Sequence, residues 1–243
     1  MKKFGLIGKT LGHSFSRTFF TDFFAQENID ASYSNIELSS IDEVDKVLSG
    51  NYLGLNVTIP YKESIIPFLD ELSDEAREIG AVNVVTFERG RHIGFNTDAY
   101  GFHQSIKPFL TNRHERAIVF GTGGASKAVA FALRSIGVDV IFVSRNPVGE
   151  NHFSYDEVNE HMLRACKLLV NTTPVGTFPN IDECIHIPFE YLSDEHLVVD
   201  LIYNPAMTKF LQMAQQNGAT ILNGESMLKQ QALKAWKIWN KNV

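Results

Sequence analysis

Residues 117–126 read Ala-Ile-Val-Phe-Gly-Thr-Gly-Gly-Ala-Ser: an apolar run suited to a strand, a glycine cluster, then the start of a stretch rich in Ala and Val that reads as a helix. No other feature restricts the fold as much. A strand that turns through glycines into a helix is a βα unit, and βα units repeated in one chain build parallel sheets covered by helices. The glycines permit a tight turn and let backbone approach a pyrophosphate. The helix start adds free N–H groups and the positive end of its dipole. Glycine also serves any tight βα turn, so it is the strand–turn–helix context that marks Gly121, Gly123, Gly124, Ala125 and Ser126 as a dinucleotide cradle. Ser126 replaces the third glycine of the usual pattern, which makes this a variant form.

Strands and helices alternate along the whole sequence. Strands are predicted at 4–8, 33–38, 53–59 and 81–87, with helices at 16–27, 41–48 and 98–110. The helix at 16–27 sets Phe15, Phe19, Phe20, Phe23 and Phe24 on its apolar side. After a polar stretch at 111–116 a second series opens, with strands at 117–120, 140–144, 168–171 and 197–202 and a helix at 125–136. The last helix, 225–240, offers Met227, Leu228, Leu233, Trp236 and Trp239 for burial. The pattern predicts an α/β protein of two domains, divided within 101–111: residues 1–101 completed by the C-terminal helix 224–243, and residues 102–223.

Composition narrows the function. With 243 residues, 44% of them hydrophobic and 21% charged, the chain suits a globular protein with one large core or two smaller ones. A net charge of −6 argues against a general binder of nucleic acid or anionic membranes, and leaves room for a small anionic substrate in a locally positive pocket. Cys166 and Cys184 form no CxxC pair, which fits a reducing cytoplasm. The N-terminus lacks the apolar core of a signal peptide, and no stretch approaches the roughly 20 apolar residues of a membrane span. The histidines have no metal-ligand spacing, so no metal is expected.

One lysine stands out. Asn56-Val57-Thr58-Ile59-Pro60-Tyr61-Lys62 closes an apolar, β-branched run in which Asn56 and Thr58 alternate onto one face. Pro60 ends the strand and suits a helix start, which puts Lys62 in a first helical turn at the mouth of a strand. A lone lysine is usually solvated and inert. A second polar cluster at Asn96-Thr97-Asp98 supplies a carboxylate, and a lysine held near a carboxylate in a partly dry site is a candidate acid/base pair.

The end of the second strand of the glycine-turn unit discriminates between cofactors. In an NAD-binding unit a carboxylate about 20 residues beyond the glycines holds the ribose 2′-hydroxyl. Here that place reads Val143-Ser144-Arg145-Asn146. Arg145 is either a surface arginine or a fork for the 2′-phosphate of NADP(H), and the glycine turn favours the second.

These segments, with Gly12-His13-Ser14-Phe15-Ser16, Gly80-Ala81-Val82-Asn83, Gly94-Phe95-Asn96-Thr97-Asp98, Asn171-Thr172-Thr173-Pro174-Val175-Gly176, Asp200-Leu201-Ile202-Tyr203-Asn204-Pro205 and Met227-Leu228-Lys229-Gln230-Gln231-Ala232, occur in an order that resembles the shikimate dehydrogenase family over nearly the full length. The resemblance implies an N-terminal substrate-binding α/β domain, a Rossmann-like NADP domain and an active site in the cleft between them. It implies reversible reduction of 3-dehydroshikimate to shikimate by NADPH, in chorismate and aromatic amino-acid biosynthesis, by a cytoplasmic monomer or homodimer. In that pattern Lys62 and Asp98 form the catalytic pair, and Ser14 and Ser16 bind the substrate carboxylate. Thr58, Asn83 and Gln231 hold ring hydroxyls. Tyr203, counted with the substrate-binding residues, and Gly224 lie near the nicotinamide and its ribose, and Thr172 and Ser144 join Gly224 among the cofactor residues.

Each assignment has a plainer counterpart. Ser14 and Ser16 would also serve as helix caps, and Asp98 as an N-cap. Asn83, read as lying inside a strand, needs a partner of some kind, since an orphaned buried amide costs roughly 1–3 kcal/mol. Exposure is the default for Gln231, and His13 reads as a donor in its own loop. The chain departs from the family in having Thr10 and Arg17 at proline positions, in its short stretch around 152–165, and in Pro147-Val148-Gly149-Glu150, which adds no second cation after Arg145. The last leaves open a quinate/shikimate dehydrogenase paralogue using NAD. A non-catalytic sensor of shikimate-type acids is a further alternative, against which the retained Lys62 and Asp98 argue.

Overall fold

The structure, a computed structural model, describes residues 1–12 and 14–240; His13 lies outside the described residues. The first series of elements is β1 (Lys2–Gly8), α1 (Phe15–Gln26), β2 (Ala31–Glu37), α2 (Val44–Leu48), β3 (Gly54–Val57), α3 (Tyr61–Ser64), β4 (Glu71–Leu72), α4 (Asp74–Ile79), β5 (Val84–Glu88), β6 (Arg91–Phe95) and α5 (Asp98–Ile106). The second is β7 (Arg116–Phe120), α6 (Gly124–Ser135), β8 (Asp139–Val143), β9 (His152–Phe153), α7 (Glu160–Ala165), β10 (Leu168–Asn171), β11 (Leu197–Asp200), α8 (Lys209–Gln216), β12 (Thr220–Leu222) and α9 (Glu225–Asn240). The chain divides into two compact units, Met1–Gly101 with Leu228–Val243, and Phe102–Met227. The first turn of α9 thus groups with the second unit.

In the first unit the strand order is β2-β1-β3-β5-β6-β4. β1 runs parallel to β2 and β3, whereas β5 runs antiparallel to β3 and to β6. The all-parallel sheet expected from βα alternation is therefore a mixed one. One of the two antiparallel pairs is a tight hairpin: Glu88 pairs with Arg91 across Arg89-Gly90, both with positive φ. A two-residue turn of this kind matches strand twist, and its usual marker is Asn or Asp before the glycine. Arg89 in that place hides it from a sequence reading.

β1 is buried without a break from Phe4 to Gly8, because helices cover both faces of the sheet. Ile7, Leu55, Val57 and Val85 pack on one side with Val44, Leu48, Tyr61 and Ala76. Phe4, Leu6 and Val84 pack on the other with Phe20, Phe24, Ala235 and Trp239. Trp239 brings the end of the chain into this core. Its indole occupies the space where a Cβ on Gly54 would stand, and its Nε1 donates to Val85 O at 3.1 Å.

In the second unit the order is β12-β11-β10-β7-β8-β9, with every pair parallel. β7 has its next strand, β8, on one side and β10 on the other. The chain therefore reverses its winding at β7, and such a switch point opens a crevice at the carboxyl end of the strand, where the glycine turn begins. Ile118, Phe120, Leu169 and Val198 pack there against Leu163, Phe210 and Leu211. No helix among the described residues is long and apolar enough to cross a membrane.

Candidate active site

In the first unit β3 ends at Val57, and Thr58 carries the chain into a turn: Thr58 N donates to Ile7 O and Tyr61 N to Thr58 O, each at 2.9 Å. Pro60 precedes α3. Tyr61, buried, donates its hydroxyl to Leu38 O at 2.6 Å and so fixes the short helix. Lys62, the next residue, lies on the adjacent side of that helix. Its Nζ is 2.6 Å from Asp98 Oδ2, with the lysine side chain 17% exposed and the aspartate 2%.

Asp98 is not the cap of α5. Asn96 does that work, its Oδ1 accepting from Asp98 N at 2.9 Å and Ala99 N at 3.3 Å, while its Nδ2 donates to Ala81 O. The aspartate carboxylate is thereby left for other partners. Asn83 takes the second oxygen, with Nδ2 2.8 Å from Asp98 Oδ1. Asn83 also lies just ahead of β5 rather than inside a strand, and its backbone pairs with Phe95 O and Val57 N. Its side chain is fully engaged: Nδ2 donates to Thr97 Oγ1 and Asp98, and Oδ1 accepts from Thr97 N at 2.7 Å. The amide that would be costly if orphaned is instead used to hold Asp98.

The two serines differ in their surroundings. Ser14 caps α1, its Oγ accepting from Arg17 N at 3.2 Å. Ser16, in the first turn, lies near the buried hydroxyl of Tyr33, where it opposes the rise that burial causes in the phenol's pKa. The loop before them is tied to β2 at Leu11, whose N donates to Glu37 Oε1 at 2.6 Å and whose O accepts from Asn35 Nδ2 at 2.7 Å. Gln231 on α9 corrects the expectation of exposure: it is half-buried, and its Oε1 is enclosed with no hydrogen-bond partner. Among the described residues, no hydrogen bond ties Ser14 or Gln231 directly to the Lys62–Asp98–Asn83 cluster.

The cofactor residues fall in the second unit. Gly121 has φ +106°, its N donates to Val143 O at 2.8 Å, and a Cβ there would stand 2.7 Å from Thr172 Oγ1. Gly123 is the N-cap of α6, Gly124 its first residue, and no side chain caps the helix. The N–H groups of the first turn, Gly124, Ala125 and Ser126, thus lack a side-chain partner, which suits a phosphate. Ser126 is buried and donates its hydroxyl to Gly123 O at 2.5 Å, which explains how a serine substitutes for the third glycine. Thr172 Oγ1 donates to Phe120 O at 2.6 Å and so backs the turn.

Ser144 and Arg145 follow β8. Ser144 Oγ is buried without a partner, and Arg145 is exposed, with its charge near the half-buried Tyr155. Tyr203 is half-buried, and Gly224 is buried with N donating to Ile202 O at 3.0 Å. A Cβ at Gly224 would overlap Leu201 O, so close packing of backbone already accounts for that glycine.

Sequence reading did not single out Asp200, which organises these loops. Its Oδ1 accepts from Asn171 Nδ2 at 3.0 Å and Ile202 N at 3.1 Å, and its Oδ2 from Thr208 Oγ1 at 2.7 Å. Burial raises its pKa to about 6, against the opposing pull of those hydrogen bonds.

A parallel α/β unit with an uncapped glycine turn, and a mixed α/β unit holding a partly buried Lys–Asp pair, define a dinucleotide-dependent oxidoreductase of two units. A family model described as the shikimate dehydrogenase substrate binding domain matches residues 6–85. The shikimate dehydrogenase (NADP(+)) of Caldicellulosiruptor saccharolyticus is 36% identical, over 98% of this chain and 92% of that one. The crystal structure of shikimate 5-dehydrogenase from Thermus thermophilus in complex with NADP(H) and shikimate superposes with a TM-score of 0.87 at 33% identity, covering 99% of this chain and 94% of that one. Quinate dehydrogenase from Corynebacterium glutamicum in complex with NAD gives a TM-score of 0.87 at 28% identity over 99% and 94%. The chain belongs to the shikimate dehydrogenase family.

Proposed function

We propose that this protein reversibly reduces 3-dehydroshikimate to shikimate with NADPH, as a cytoplasmic enzyme of chorismate and aromatic amino-acid biosynthesis acting as a monomer or homodimer. The observation that carries the reading is the partly buried contact of Lys62 Nζ with Asp98 Oδ2 at 2.6 Å. Bound NADPH supplies a hydride to the ketone carbon. The chain's own task is to hold the ring and deliver a proton to the oxygen that becomes an alkoxide. Lys62 gives that proton from Nζ in reduction and takes it back in oxidation, an acid/base contribution of roughly 10²–10⁴-fold. Asp98 orients the ammonium, and Asn83 fixes the carboxylate from its other oxygen.

The hydroxyls of Ser14 and Ser16 serve the substrate carboxylate at the start of α1, where the helix dipole also favours an anion. Gln231 Oε1, enclosed and unpartnered, is the acceptor for a ring hydroxyl, and Thr58 serves another. Asn83 acts on the ring through Asp98, because its own hydrogens are committed. On the second unit, Gly121, Gly123, Gly124, Ala125 and Ser126 hold the pyrophosphate, Ser144 and Arg145 the 2′-phosphate, and Thr172, Tyr203 and Gly224 the nicotinamide end. The buried orphan oxygen of Ser144 fits a group arriving there.

NAD with quinate is a second reading. It is favoured by the lone Arg145, which is followed by Pro147-Val148-Gly149-Glu150, and by the likeness to the NAD-bound quinate enzyme. An absorbance assay at the reduced nicotinamide band, with shikimate or quinate and with NADP or NAD, tests both. Turnover of shikimate with NADP as the best pair supports the first reading. Quinate with NAD supports the second. No turnover with any pair overturns both.

A further inference from the structure

Strand β8 lacks cover along part of its outer edge. Asp139 N donates to Glu115 O and Val143 O accepts from Gly121 N, so Asp139, Ile141 and Val143 turn their backbone groups toward β7. Val140 and Phe142 turn theirs the other way. Phe142 N finds Asn151 O at 2.8 Å, but β9 pairs only with Phe142 and Val143, and no strand runs beside Val140. Helical cover is short as well. α7, between β9 and β10, has six residues against twelve in α6, and Ile141, Phe153 and Met162 are left only partly buried. The shortened stretch around 152–165 thus leaves a groove of about 720 Å³ against β8.

The groove combines an apolar floor with a positive rim. Ile141, Phe153 and Met162 form the floor, and Arg116, Arg134 and His161 also line it, against one carboxylate, Asp139. Arg91, Arg113 and Arg164 are each paired with a carboxylate; among the described residues Arg116 and Arg134 are not. Arg134 is held over the Phe142 ring, 5.7 Å from its centroid. Two unpaired guanidiniums beside an outward N–H, on a chain of net charge −6, present the donors that an anion takes. The volume falls within the roughly 300–1,000 Å³ of small-molecule sites. A bare inorganic anion would leave the floor unused, and a neutral apolar molecule would leave the arginines unused. Arg116 and Asp139 are register partners at the amino ends of β7 and β8, whereas the glycine turn and Arg145 follow the carboxyl ends. No residue of the groove is among those assigned to substrate or cofactor.

We propose that this groove is a second ligand site, which takes a small organic carboxylate with an apolar body: Arg116, Arg134 and the Val140 N–H hold the anion, and Ile141, Phe153 and Met162 receive the body. The test uses 3-phenylpropanoate as the probe, beside 3-phenylpropanamide, which keeps the shape and loses the charge. Binding is followed by NMR at the Met162 methyl, in protein carrying isotope-labelled methionine, with the signal assigned by Met162→Leu. The acid shifts that signal saturably, and the amide binds at least about 10-fold more weakly. Arg116→Gln and Arg134→Gln each weaken the acid by about 3- to 10-fold, the scale of one solvent-screened charged hydrogen bond, and leave the amide within about twofold. Ala165→Trp, at an exposed position of the groove wall, fills the space and removes the response, with the melting temperature checked against the parent. A Met162 signal that ignores the acid, equal binding of acid and amide, or full affinity in both arginine variants overturns the site. A well-folded Ala165→Trp that still responds also overturns it; if that variant does not fold, the arginine variants decide.

Discussion

Lys62 and Asp98, 36 residues apart in sequence, meet as a partly buried ion pair whose carboxylate is held on its other oxygen by Asn83. The asymmetry of exposure decides what each substitution does. Asp98 is the more enclosed, so removing Lys62 leaves an uncompensated buried charge, whereas removing Asp98 leaves a lysine that can reach water. Lys62→Met is expected to lower kcat by about 10²–10⁴-fold with a much smaller change in KM. It should also cost about 3 kcal/mol in unfolding free energy, with Asp98→Asn costing less. Steady-state kinetics with denaturant unfolding measures both; a kcat within a few-fold of the parent removes Lys62 from the chemistry.

The serines at α1 should separate on stability. Ser14 caps the helix, so Ser14→Ala is expected to lose about 1 kcal/mol of stability as well as substrate affinity. Ser16 caps nothing, and Ser16→Ala should lose affinity alone, by the roughly 1.5–3 kcal/mol of a hydrogen bond to a charged group. Cofactor affinity should not move in either. Thermal denaturation beside substrate and cofactor KM values distinguishes this from a purely structural pair.

Arg145 is exposed directly after β8, so its contact with a 2′-phosphate is open to salt. Arg145→Ala should weaken NADP(H) by about 10- to 150-fold, toward the lower figure because no second cation follows, and leave NAD(H) nearly unchanged. Rising ionic strength should shrink the preference in the parent. Equal loss of both cofactors would place Arg145 outside the phosphate site.

Asp200 gives a pH signature. Its folded pKa is raised to about 6, while an unfolded aspartate titrates near about 4. Below about pH 4 the group is protonated in both states and has no effect. Between about pH 4 and 6 the unfolded chain releases its proton first, so stability falls as pH rises through that window and is level above it. The loss is on the order of 2–3 kcal/mol. Asp200→Asn removes the titration. The difference in unfolding free energy between parent and variant, measured at about pH 4.5 and about pH 7, should therefore shift in the variant's favour at the higher pH; a constant difference sinks the assignment.

Much of this site was legible in the sequence, and the misses share a cause. Lys62 could be placed because a strand, a proline and a helix start are local signals. Asp98 was found as a candidate, but which of three adjacent polar residues caps α5 depends on where Asn96 points. Gln231 read as exposed because a helical glutamine usually is, and its enclosure is set by packing around α9. The βα alternation foretold the second sheet and misled on the first, where Arg89 disguised a hairpin. Helix α8, capped by Thr208, buries Phe210, Leu211 and Ala214 on one face, but its eight residues are too short a window for that periodicity to stand out.

Trp239, packed against Gly54 and bonded to Val85, has a consequence for how the polypeptide is made. The sheet that carries the lysine and the aspartate leaves the ribosome early, yet one side of its core is supplied by the last helix to emerge. Until α9 arrives, Phe4, Phe20 and Phe24 have no indole to close over them. The second unit, contiguous and wound from neighbouring βα units, has no such wait. The order of synthesis thus runs against the order of completion: the nascent N-terminal half must remain partly open, a target for chaperones, while the half made after it is already able to close.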